Sequence, residues 1–545
     1  MQRTFNFQLL KKALLIAACI VAFFVNNGSL MTDIMESRNI VTAREMVYDG
    51  HWLVTTMNGD YRFEKPPLPT WLAALAEIIA PDSMPVQRAM AGLAALMLVF
   101  FVYRFAQRVL GLSPLIASLL LITSYSVILM GRTASWDIWC HAFMMGGIYY
   151  LALALLPPGA AATSAPAGLS KNFLLSGLFI GLSLMSKGPV SLFALFLPFI
   201  ICFALVCRPS MRGRWPGIAL LVVVALIVGG WWYAYIYLFH ADELASVLSK
   251  ETGAWAGRNV RPWWYYWKFF LEAGVWAVVL LTAIVVPIVS PRSRKRAYIF
   301  SVAWTLAVVV LLSFMPEKKS RYLLPMLIPA AFAMTGLIEY WRHNTTLAKW
   351  TFRANTWLIA VAVLLLPVGA YIALFLKGYM ALWQLCAFTA FFVVIALCLL
   401  RAAARRQPRS VVYTVALLFF GIECFAMPYF RCLFNNTEQN SIAATRNIPE
   451  LRSLPFYYNQ NDPLRIELVY AAAKKIRPLD LNCRDSVISK LPCAVLTHKP
   501  LAQETTADVL QGIDTCFVDR YDDNRTPSGH RRHSDLFVYD LTILR

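Results

Sequence analysis

Charged residues are scarce in this sequence. They make up only 15% of its 545 residues, whereas soluble domains carry about 25%. Hydrophobic residues reach 59%, against about 45–50% in soluble domains. Apolar runs of about twenty residues recur as far as residue 430, and each can cross about 30 Å of hydrocarbon. These proportions exclude a soluble globular protein and predict an α-helical polytopic membrane protein.

Several motifs are also missing. The cysteines of the C-terminal part show no CxxC spacing, which argues against a zinc site there. That part has no nucleotide-binding glycine-rich loop, and no internal repeat is visible along the chain. The formal net charge is +20, but much of the excess lies in short loops between apolar runs. This distribution is typical of membrane topology and argues against nucleic-acid binding.

The apolar pattern predicts roughly thirteen membrane spans, because each needs about twenty apolar residues. The segment Met1–Val25 has no evident cleavage site and is expected to remain as the first helix. The predicted spans are 8–28, 85–107, 111–131, 136–155, 173–187, 189–207, 217–239, 268–290, 297–315, 321–341, 354–376, 380–400 and 410–428.

Basic residues mark alternate loops, and this parity predicts the orientation. With the N-terminus inside, every inner loop is rich in Lys or Arg, as expected for the cytoplasmic side. The tail then lies outside. We therefore expect a membrane domain over 1–428, whose first outer loop, 29–84, carries helices lying along the membrane surface, and a small α/β domain over 429–545.

The outer loops also carry charge, although topology does not require it. Charges of both signs at a membrane boundary are costly unless they are paired, solvated or used, so they predict a polar cavity at one mouth of the bundle. The first loop contributes Asp33, Glu36, Arg38, Glu64 and Lys65, and the later outer segments contribute Lys187, Glu251, Arg258, Glu317, Lys318, Lys319 and Arg321.

Each of these groups has a structural alternative. The first-loop acids could do base or metal-ligand work, or they could be ordinary charges at helix ends. Asp137 could be an acid favoured by the dipole of the helix that it opens, and Lys187 could extend toward the interface. The run Glu317–Tyr322 favours phosphate binding, because Arg and Lys together recognise phosphate well.

The order of the motifs resembles one known family. The resemblance rests on Glu36-Ser-Arg38, Gly50-His-Trp52, Asn58-Gly59, Phe63-Glu64-Lys65-Pro66-Pro67, Asp137, Ser186-Lys187-Gly188-Pro189, Pro262-Trp-Trp-Tyr-Tyr266 and Lys319-Ser-Arg-Tyr322-Leu-Leu-Pro325. Together they resemble the bacterial 4-amino-4-deoxy-L-arabinose (lipid A) transferases, which belong with the protein O-mannosyltransferases among the GT-C glycosyltransferases.

The resemblance implies a GT-C fold, a bacterial inner-membrane location with a cytoplasmic N-terminus, and a periplasmic active site and C-terminal domain. It implies transfer of a sugar, with inversion, from an undecaprenyl-phosphate donor to lipid A or another extracytoplasmic glycan or protein acceptor. By position, the catalytic candidates are Asp33, Glu36, Glu64 and Asp137, and the substrate-binding candidates are Arg38, Lys65, Lys187, Arg258, Lys319, Arg321 and Tyr322. A divalent metal ion is left open as cofactor, with Glu64 as its ligand.

Two positions depart from the family pattern. The first loop reads Met35-Glu36 where an Asp-Glu pair is usual, so Asp33 or Glu36 must replace the aspartate. A later loop reads Glu251-Thr252 where a Glu-His pair is common. The alternative functions are a transporter or flippase for a lipid-linked sugar and a surface-glycan ligase, which only product analysis separates from transfer to lipid A.

Overall fold

A computed structural model of the chain describes residues 2–156, 170–257, 259–434, 436 and 439–545. It is mostly helical, with short 3₁₀ and π segments joining many of the helices. The α-helices are α1 (Gln2–Phe23), α2 (Ile34–Asp49), α3 (Leu68–Ile79), α4 (Met84–Phe105), α5 (Pro114–Ile122), α6 (Tyr125–Gly131), α7 (Asp137–Leu155), α8 (Lys171–Lys187), α9 (Leu197–Cys202), α10 (Trp215–Phe239), α11 (Ala241–Gly257), α12 (Ala277–Val289), α13 (Arg296–Ser313), α14 (Leu327–Tyr340), α15 (Thr346–Ala370), α16 (Leu382–Ala404), α17 (Pro408–Gly421), α18 (Pro449–Arg452), α19 (Ile466–Ala472), α20 (Arg484–Ile488), α21 (Leu501–Glu504) and α22 (Ala507–Leu510).

Nine helical segments of the described chain are long and apolar enough to cross a membrane. The pair α5 and α6 makes a tenth if its 73° bend lies within one span. The remaining predicted spans fall on shorter helices: the apolar part of α1, all of α8, and the segment Leu192–Cys207. The polytopic helical architecture is therefore confirmed, while the count of about thirteen, set by a span of about 20 residues, stays a prediction.

The chain forms two compact units. The first contains Met1–Ser29, Phe63–Leu72 and Asp82–Tyr429, and the second contains Leu30–Arg62, Ala73–Pro81 and Phe430–Arg545. Part of the first predicted outer loop thus belongs to the same unit as the C-terminal residues.

Helices α8 and α10 of the first unit approach each other closely through small residues. A Cβ atom on Gly181 would lie 2.6 Å from the Cβ of Val228, and one on Gly177 would lie 2.6 Å from the carbonyl oxygen of Leu221. Small residues allow apolar helices to pack backbone against backbone, which is how helices associate in a membrane. This contact fixes the end of α8, where Lys187 lies.

A buried arginine anchors the first helix. Arg132, at the end of α6, donates hydrogen bonds to the carbonyl oxygens of Ala22 (2.6 Å) and Val25 (2.7 Å), near the C-terminus of α1. Its guanidinium also lies 2.7 Å from the Glu423 carboxylate. The last carbonyls of a helix lack partners within the helix and carry partial negative charge, so a buried cation stabilises them.

The second unit contains a mixed five-stranded sheet. The chain's strands are β1 (Thr56–Met57), β2 (Asp60–Tyr61), β3 (Phe456–Asn459), β4 (Ile476–Leu479), β5 (Cys493–Thr497), β6 (Thr515–Asp522) and β7 (Val538–Leu544). The sheet order is β4-β3-β5-β7-β6, with β4, β3 and β5 parallel and the other pairings antiparallel. Apolar residues cover both faces of the sheet, which confirms the small C-terminal α/β domain.

The first-loop residues of this unit pack on the sheet domain. Helix α2 lies against α19, where the Arg44 guanidinium stacks 4.9 Å above the Tyr470 ring. The hairpin of β1 and β2 turns at Asn58 and Gly59, both with positive φ, as the Asn-Gly signal predicts. Asn58 then exchanges two hydrogen bonds with the backbone of Ile476, at 2.7 and 2.8 Å.

Replacing Gly181 by alanine should push α8 and α10 apart, because the new methyl group overlaps Val228. We expect a loss of about 1–3 kcal/mol of stability, the usual cost of overpacking, measured by thermal unfolding in detergent. Gly230→Ala is the matched control, because no atom lies within 4 Å of its added Cβ. Equal melting temperatures for the two variants would contradict this account of the helix contact.

Candidate functional site

The centre of the candidate site is a buried ion pair. Asp137 is the first residue of α7 and Lys187 is the last residue of α8, and the Lys187 ammonium donates to Asp137 Oδ1. A helix N-terminus favours an acid and a helix C-terminus favours a base, so each residue suits its place. Asp137 is 1% exposed and Lys187 is 7% exposed. The pair therefore fixes the ends of two helices to each other.

The second carboxylate oxygen of Asp137 is available for a further hydrogen bond. Asp137 Oδ2 is buried and has no hydrogen-bond partner among the described residues. An unsatisfied charged acceptor costs about 1–3 kcal/mol or more when buried. The arrangement is therefore suited to accept a hydrogen bond from a bound molecule.

Three cations surround the ring of Tyr322. The charged groups of Lys187, Lys319 and Arg321 lie 5.4, 5.7 and 5.9 Å from its centroid. Arg321 is also close enough to Asp137 to act on its charge. Arg321 and Tyr322 lie in the first turn of the short 3₁₀ helix Ser320–Met326, and Lys319 is its N-cap residue.

Glu317 holds this cationic group in place. Its carboxylate pairs with Lys319 and accepts a hydrogen bond of 3.1 Å from the Tyr322 hydroxyl. Burial alone would raise the pKa of Glu317, but Lys319, Tyr322 and Arg321 together lower that pKa below its ordinary value. Glu317 is therefore ionised at neutral pH. Two acids, Asp137 and Glu317, thus face three cations around Tyr322.

Lys318, between these residues, has a different role. It is 4% exposed, and its ammonium donates to the carbonyl oxygens of Arg261 (3.0 Å) and Met315. Burial lowers its pKa. The backbone next to it pairs with the preceding loop through the bridge between Val260 and Glu317. Lys318 therefore ties two loops together and leaves Lys319 and Arg321 as the cations of this segment that face Tyr322.

Glu64 and Lys65 follow a segment anchored on α10. The Phe63 ring contacts Trp232 and His240, with ring centroids 6.4 and 6.1 Å apart. Glu64 is half-buried and acts electrostatically on the Tyr233 hydroxyl. That hydroxyl would lie 3.4 Å from a Cβ atom on Gly188, the residue after Lys187. Glu64 and Gly188, the neighbour of Lys187, therefore both lie near the Tyr233 hydroxyl.

The remaining predicted site residues belong to the second unit or lie outside the described residues. Asp33 and Glu36 belong to the second unit, where they form the capping box of α2: Asp33 accepts from the amide N–H of Glu36 at 2.8 Å, and Glu36 accepts from that of Asp33 at 3.2 Å. Arg38 lies two residues after Glu36 in α2, and its carbonyl oxygen accepts from Arg62 at 2.6 Å. Arg258 lies outside the described residues.

The structure adds a group of buried polar residues next to the ion pair that the motifs did not single out. His141 lies one turn after Asp137, and its Nδ1 is 2.6 Å from the hydroxyl of Ser191. The Cys140 thiol donates to the same hydroxyl at 3.0 Å. His141 lies within the predicted span 136–155, and these contacts place it in a buried polar network next to the ion pair.

Glu272 is a further acid near the Tyr322 cluster that the sequence motifs did not indicate. It accepts hydrogen bonds from the hydroxyls of Ser126 and Ser320, so it lies next to Lys319 and Arg321. The only signal in the sequence was an acid inside the apolar segment Trp263–Val289. Acids in that position are costly and are generally functional or paired.

One group of side chains could hold a metal ion. Glu45, Asp49 and His51 in the second unit bring ligand atoms within 4.8 Å of one another. Each already has a protein partner: Glu45 and His51 bond to Thr56, and Asp49 pairs with Lys475 at 2.8 Å. Glu64, the predicted ligand, belongs to no such group in the described part of the chain.

Comparison with known proteins adds sequence relatives. The profile of the dolichyl-phosphate-mannose-protein mannosyltransferases matches residues 64–233. Undecaprenyl phosphate-α-4-amino-4-deoxy-L-arabinose arabinosyl transferase 1 of Pseudomonas fluorescens is 24% identical over 325 residues, covering 56% of this chain and 53% of the relative. The corresponding transferase of Pseudomonas aeruginosa is 26% identical over 370 residues, covering 64% and 62%. The chain thus spans only a little more than half the length of the curated relatives that it matches.

A solved structure matches nearly the whole fold. The crystal structure of ArnT from Cupriavidus metallidurans bound to undecaprenyl phosphate superposes with a TM-score of 0.67 over 99% of this chain and 98% of that one, at 15% identity. Fold and site together define a multi-pass helical membrane protein of the GT-C type with a polar cluster at the ends of its helices. The resemblance to the aminoarabinose transferases and protein mannosyltransferases, predicted from the motifs, is confirmed by these matches.

Removing Lys187 should expose the cost of burying Asp137. We expect Lys187→Met to destabilise the protein by about 3–5 kcal/mol, because it leaves a buried charge without its partner. The double variant Asp137→Asn with Lys187→Met should be less destabilised than Lys187→Met alone. Thermal unfolding of all variants in detergent gives the coupling energy. Strictly additive losses would show that the two residues are not a stabilising pair.

Proposed function

We propose that this chain is an integral membrane glycosyltransferase that moves a sugar from a polyprenyl-phosphate donor to an extracytoplasmic acceptor, lipid A-like or another glycan. The single observation that carries the proposal is the cluster around Tyr322. It combines three cations with the unpartnered oxygen of Asp137. A lipid-linked sugar phosphate offers the complementary pair, an anion beside hydroxyl donors.

The proposed location is a bacterial inner membrane, with the N-terminus in the cytoplasm and the site at the periplasmic face. Basic residues in alternate loops support this orientation. Lys187, Lys319 and Arg321 then face away from the side that the basic loops mark as inner. Cations there need a purpose other than topology, and binding a lipid phosphate supplies one.

Donor binding would use charge and shape together. Arg321 and Lys319 approach the phosphate, and the fork of an arginine suits paired phosphate oxygens. Lys65, which follows Glu64, is proposed as a further phosphate ligand. Lys187 stays ion-paired with Asp137, whose free oxygen accepts a hydrogen bond from a sugar hydroxyl. All three cations lie within 6 Å of the centre of the Tyr322 ring, at 5.4, 5.7 and 5.9 Å.

The transfer itself is a displacement at the anomeric carbon. An oxygen of the acceptor attacks that carbon and forms a new glycosidic bond. The bond from that carbon to the phosphate oxygen breaks, and its electron pair leaves with the lipid phosphate. Lys319 and Arg321 stabilise the charge that grows on this leaving group, which is the kind of interaction that contributes most to catalysis.

We propose the first-loop acids as the base that activates the acceptor. A phosphate acceptor is ionised near neutral pH and needs little help, whereas a hydroxyl must lose a proton to a carboxylate. Asp33 and Glu36 are the proposed recipients. Both also stabilise the start of α2, so a test must separate catalysis from helix capping.

Removing either cation that faces the leaving group should slow transfer. We expect Arg321→Met and Lys319→Met each to lower the rate by roughly 100-fold, the usual cost of one lost electrostatic contact in a transition state. The measurement is transfer of labelled sugar from polyprenyl phosphate in membranes. Arg292→Met is the matched control, because Arg292 is an exposed arginine of a predicted inner loop. Normal rates of sugar transfer in both site variants would contradict the proposed donor site.

Conservative substitutions separate the two roles of the first-loop acids. Asn caps a helix as well as Asp does, and Gln replaces Glu in a capping box. Asp33→Asn and Glu36→Gln should therefore leave thermal stability nearly unchanged. If one of them is the base, that variant loses transfer to a hydroxyl acceptor by roughly 100-fold or more while its melting temperature stays constant. Full activity in both variants would assign these acids to helix capping alone.

A further inference from the structure

Residues 316–322 form the cation segment, which carries two of the three cations of the candidate site. Its first residues pair with the loop that precedes α12. The backbone N–H of Arg261 donates to the carbonyl oxygen of Pro316 at 3.3 Å. The backbone N–H of Lys318 donates to the carbonyl oxygen of Asn259 at 3.2 Å. Paired backbone groups fix the path of a chain, so these bonds fix the first half of the cation segment.

Tyr266 makes the next contact along the cation segment. Its hydroxyl accepts a hydrogen bond from the backbone N–H of Lys319 and donates one to the carbonyl oxygen of Lys319, both at 3.2 Å. The same carbonyl oxygen accepts from the backbone N–H of Tyr322 at 3.0 Å, within the 3₁₀ helix that Lys319 caps. Side chains that bond to backbone groups at the start of a helix fix where the helix begins. The Tyr266 hydroxyl therefore fixes the start of the helix that carries Arg321.

Glu272 holds the following residue of the cation segment. Its carboxylate accepts a hydrogen bond from the hydroxyl of Ser320, the residue between Lys319 and Arg321. It also accepts one from the hydroxyl of Ser126, the second residue of α6. One carboxylate thus connects α6 to the cation segment.

Tyr266 and Glu272 belong to one stretch of chain that buried contacts fix. Trp276 at its end is 0% exposed, and its indole N–H donates to the Thr123 hydroxyl at 2.8 Å. Gly274 has a φ of +63°, and a Cβ atom there would lie 2.9 Å from the Cβ of Tyr125. Only glycine combines this backbone conformation with so close an approach at little cost. The stretch therefore lies directly against the start of α6.

The Tyr266 hydroxyl is occupied by the protein itself. Tyr266 is 1% exposed, and its single hydroxyl hydrogen points to the carbonyl oxygen of Lys319. A direct bond to a substrate would require that this hydrogen bond be broken. Tyr266 is therefore placed to act through Lys319 rather than on a substrate.

We propose that Tyr266 and Glu272 are positioning residues of the donor site, which hold Lys319 and Arg321 where both cations bind the phosphate of a lipid-linked sugar. The inference rests on the proposed function and deepens it. Ordering flexible side chains on binding costs free energy, and a backbone that is already fixed reduces this cost. Loss of either positioning residue should therefore weaken phosphate binding even where both cations remain.

The experiment is calorimetric titration of the full chain in detergent micelles with farnesyl phosphate, and with farnesol, which has the same hydrocarbon chain without the phosphate. The variants are Tyr266→Phe, Lys319→Met and the double variant. Tyr265→Phe is the matched control, because Tyr265 is the adjacent tyrosine and its hydroxyl makes no hydrogen bond within the described chain. Its ring, which faces the Lys268 ammonium, is kept. Thermal unfolding of each variant checks that it is folded.

We expect Tyr266→Phe to bind farnesyl phosphate roughly tenfold more weakly than the wild type, as the loss of a hydrogen bond predicts. Tyr265→Phe should bind it normally, and farnesol should distinguish none of the variants. In the Lys319→Met background, Tyr266→Phe should weaken binding by less than about threefold, because residues that act on one contact are not additive.

Four results would overturn the role of Tyr266. They are no binding of farnesyl phosphate by the wild type, equal binding by the wild type and Tyr266→Phe, equal losses for farnesol and farnesyl phosphate, and a full additional loss in the Lys319→Met background. The last two results are those that a purely structural role predicts.

Glu272 provides a second test, which decides the proposal if Tyr266→Phe does not fold. Glu272→Gln keeps acceptor and donor atoms for both serine hydroxyls and should bind farnesyl phosphate within about twofold of the wild type, whereas Glu272→Leu should bind it roughly tenfold more weakly. Equal affinities of the two variants would overturn the role of Glu272. A wild type that binds farnesyl phosphate but transfers no sugar would contradict the proposed function alone, while the binding losses would still support the positioning role.

Discussion

The membrane part of this protein depends on pairing its buried charges. Each ion removed from water costs several kcal/mol after relaxation, and only a partner with good geometry offsets that cost. The ion pair of Asp137 and Lys187 meets this condition by joining the start of α7 to the end of α8. The close contact of α8 with α10 at Gly181 holds the lysine end of the pair in place. The donor site proposed around Tyr322 uses what this pairing leaves over: one oxygen of Asp137 and the cations Lys319 and Arg321.

Much of this arrangement was predictable from the sequence. Apolar runs predicted the long helices of the membrane part, and charges at the ends of those runs predicted Asp137, Lys187 and Lys319, which the structure brings together around Tyr322. The sequence could not separate Lys318 from its neighbours, because burial against the carbonyl oxygens of Arg261 and Met315 is a tertiary contact. Glu272 was hidden for the same reason, since its serine partners come from two other segments.

The second unit shows a different limit of prediction from the sequence: its strands are short and its contacts join distant residues. Strands β3 and β4 are four residues each, too short for a reliable alternating pattern, and neither was predicted. The packing of α2 and the β1–β2 hairpin on the C-terminal sheet joins residues such as Asn58 and Ile476, which are 418 positions apart. No local signal encodes such a contact. The capping box of Asp33 and Glu36 was encoded locally, yet the sequence alone offered it only as an alternative to catalysis.

The most direct test of the central claim is mass spectrometry of lipid A and total glycolipids from cells with and without this chain. If the cluster around Tyr322 transfers a sugar, cells with the chain contain a glycolipid or glycan that is heavier by one sugar residue. That species disappears when the chain is deleted and when Arg321 is replaced by methionine. Identical glycan and glycolipid profiles in all three strains, with the lipid-linked sugar intact, would contradict the account.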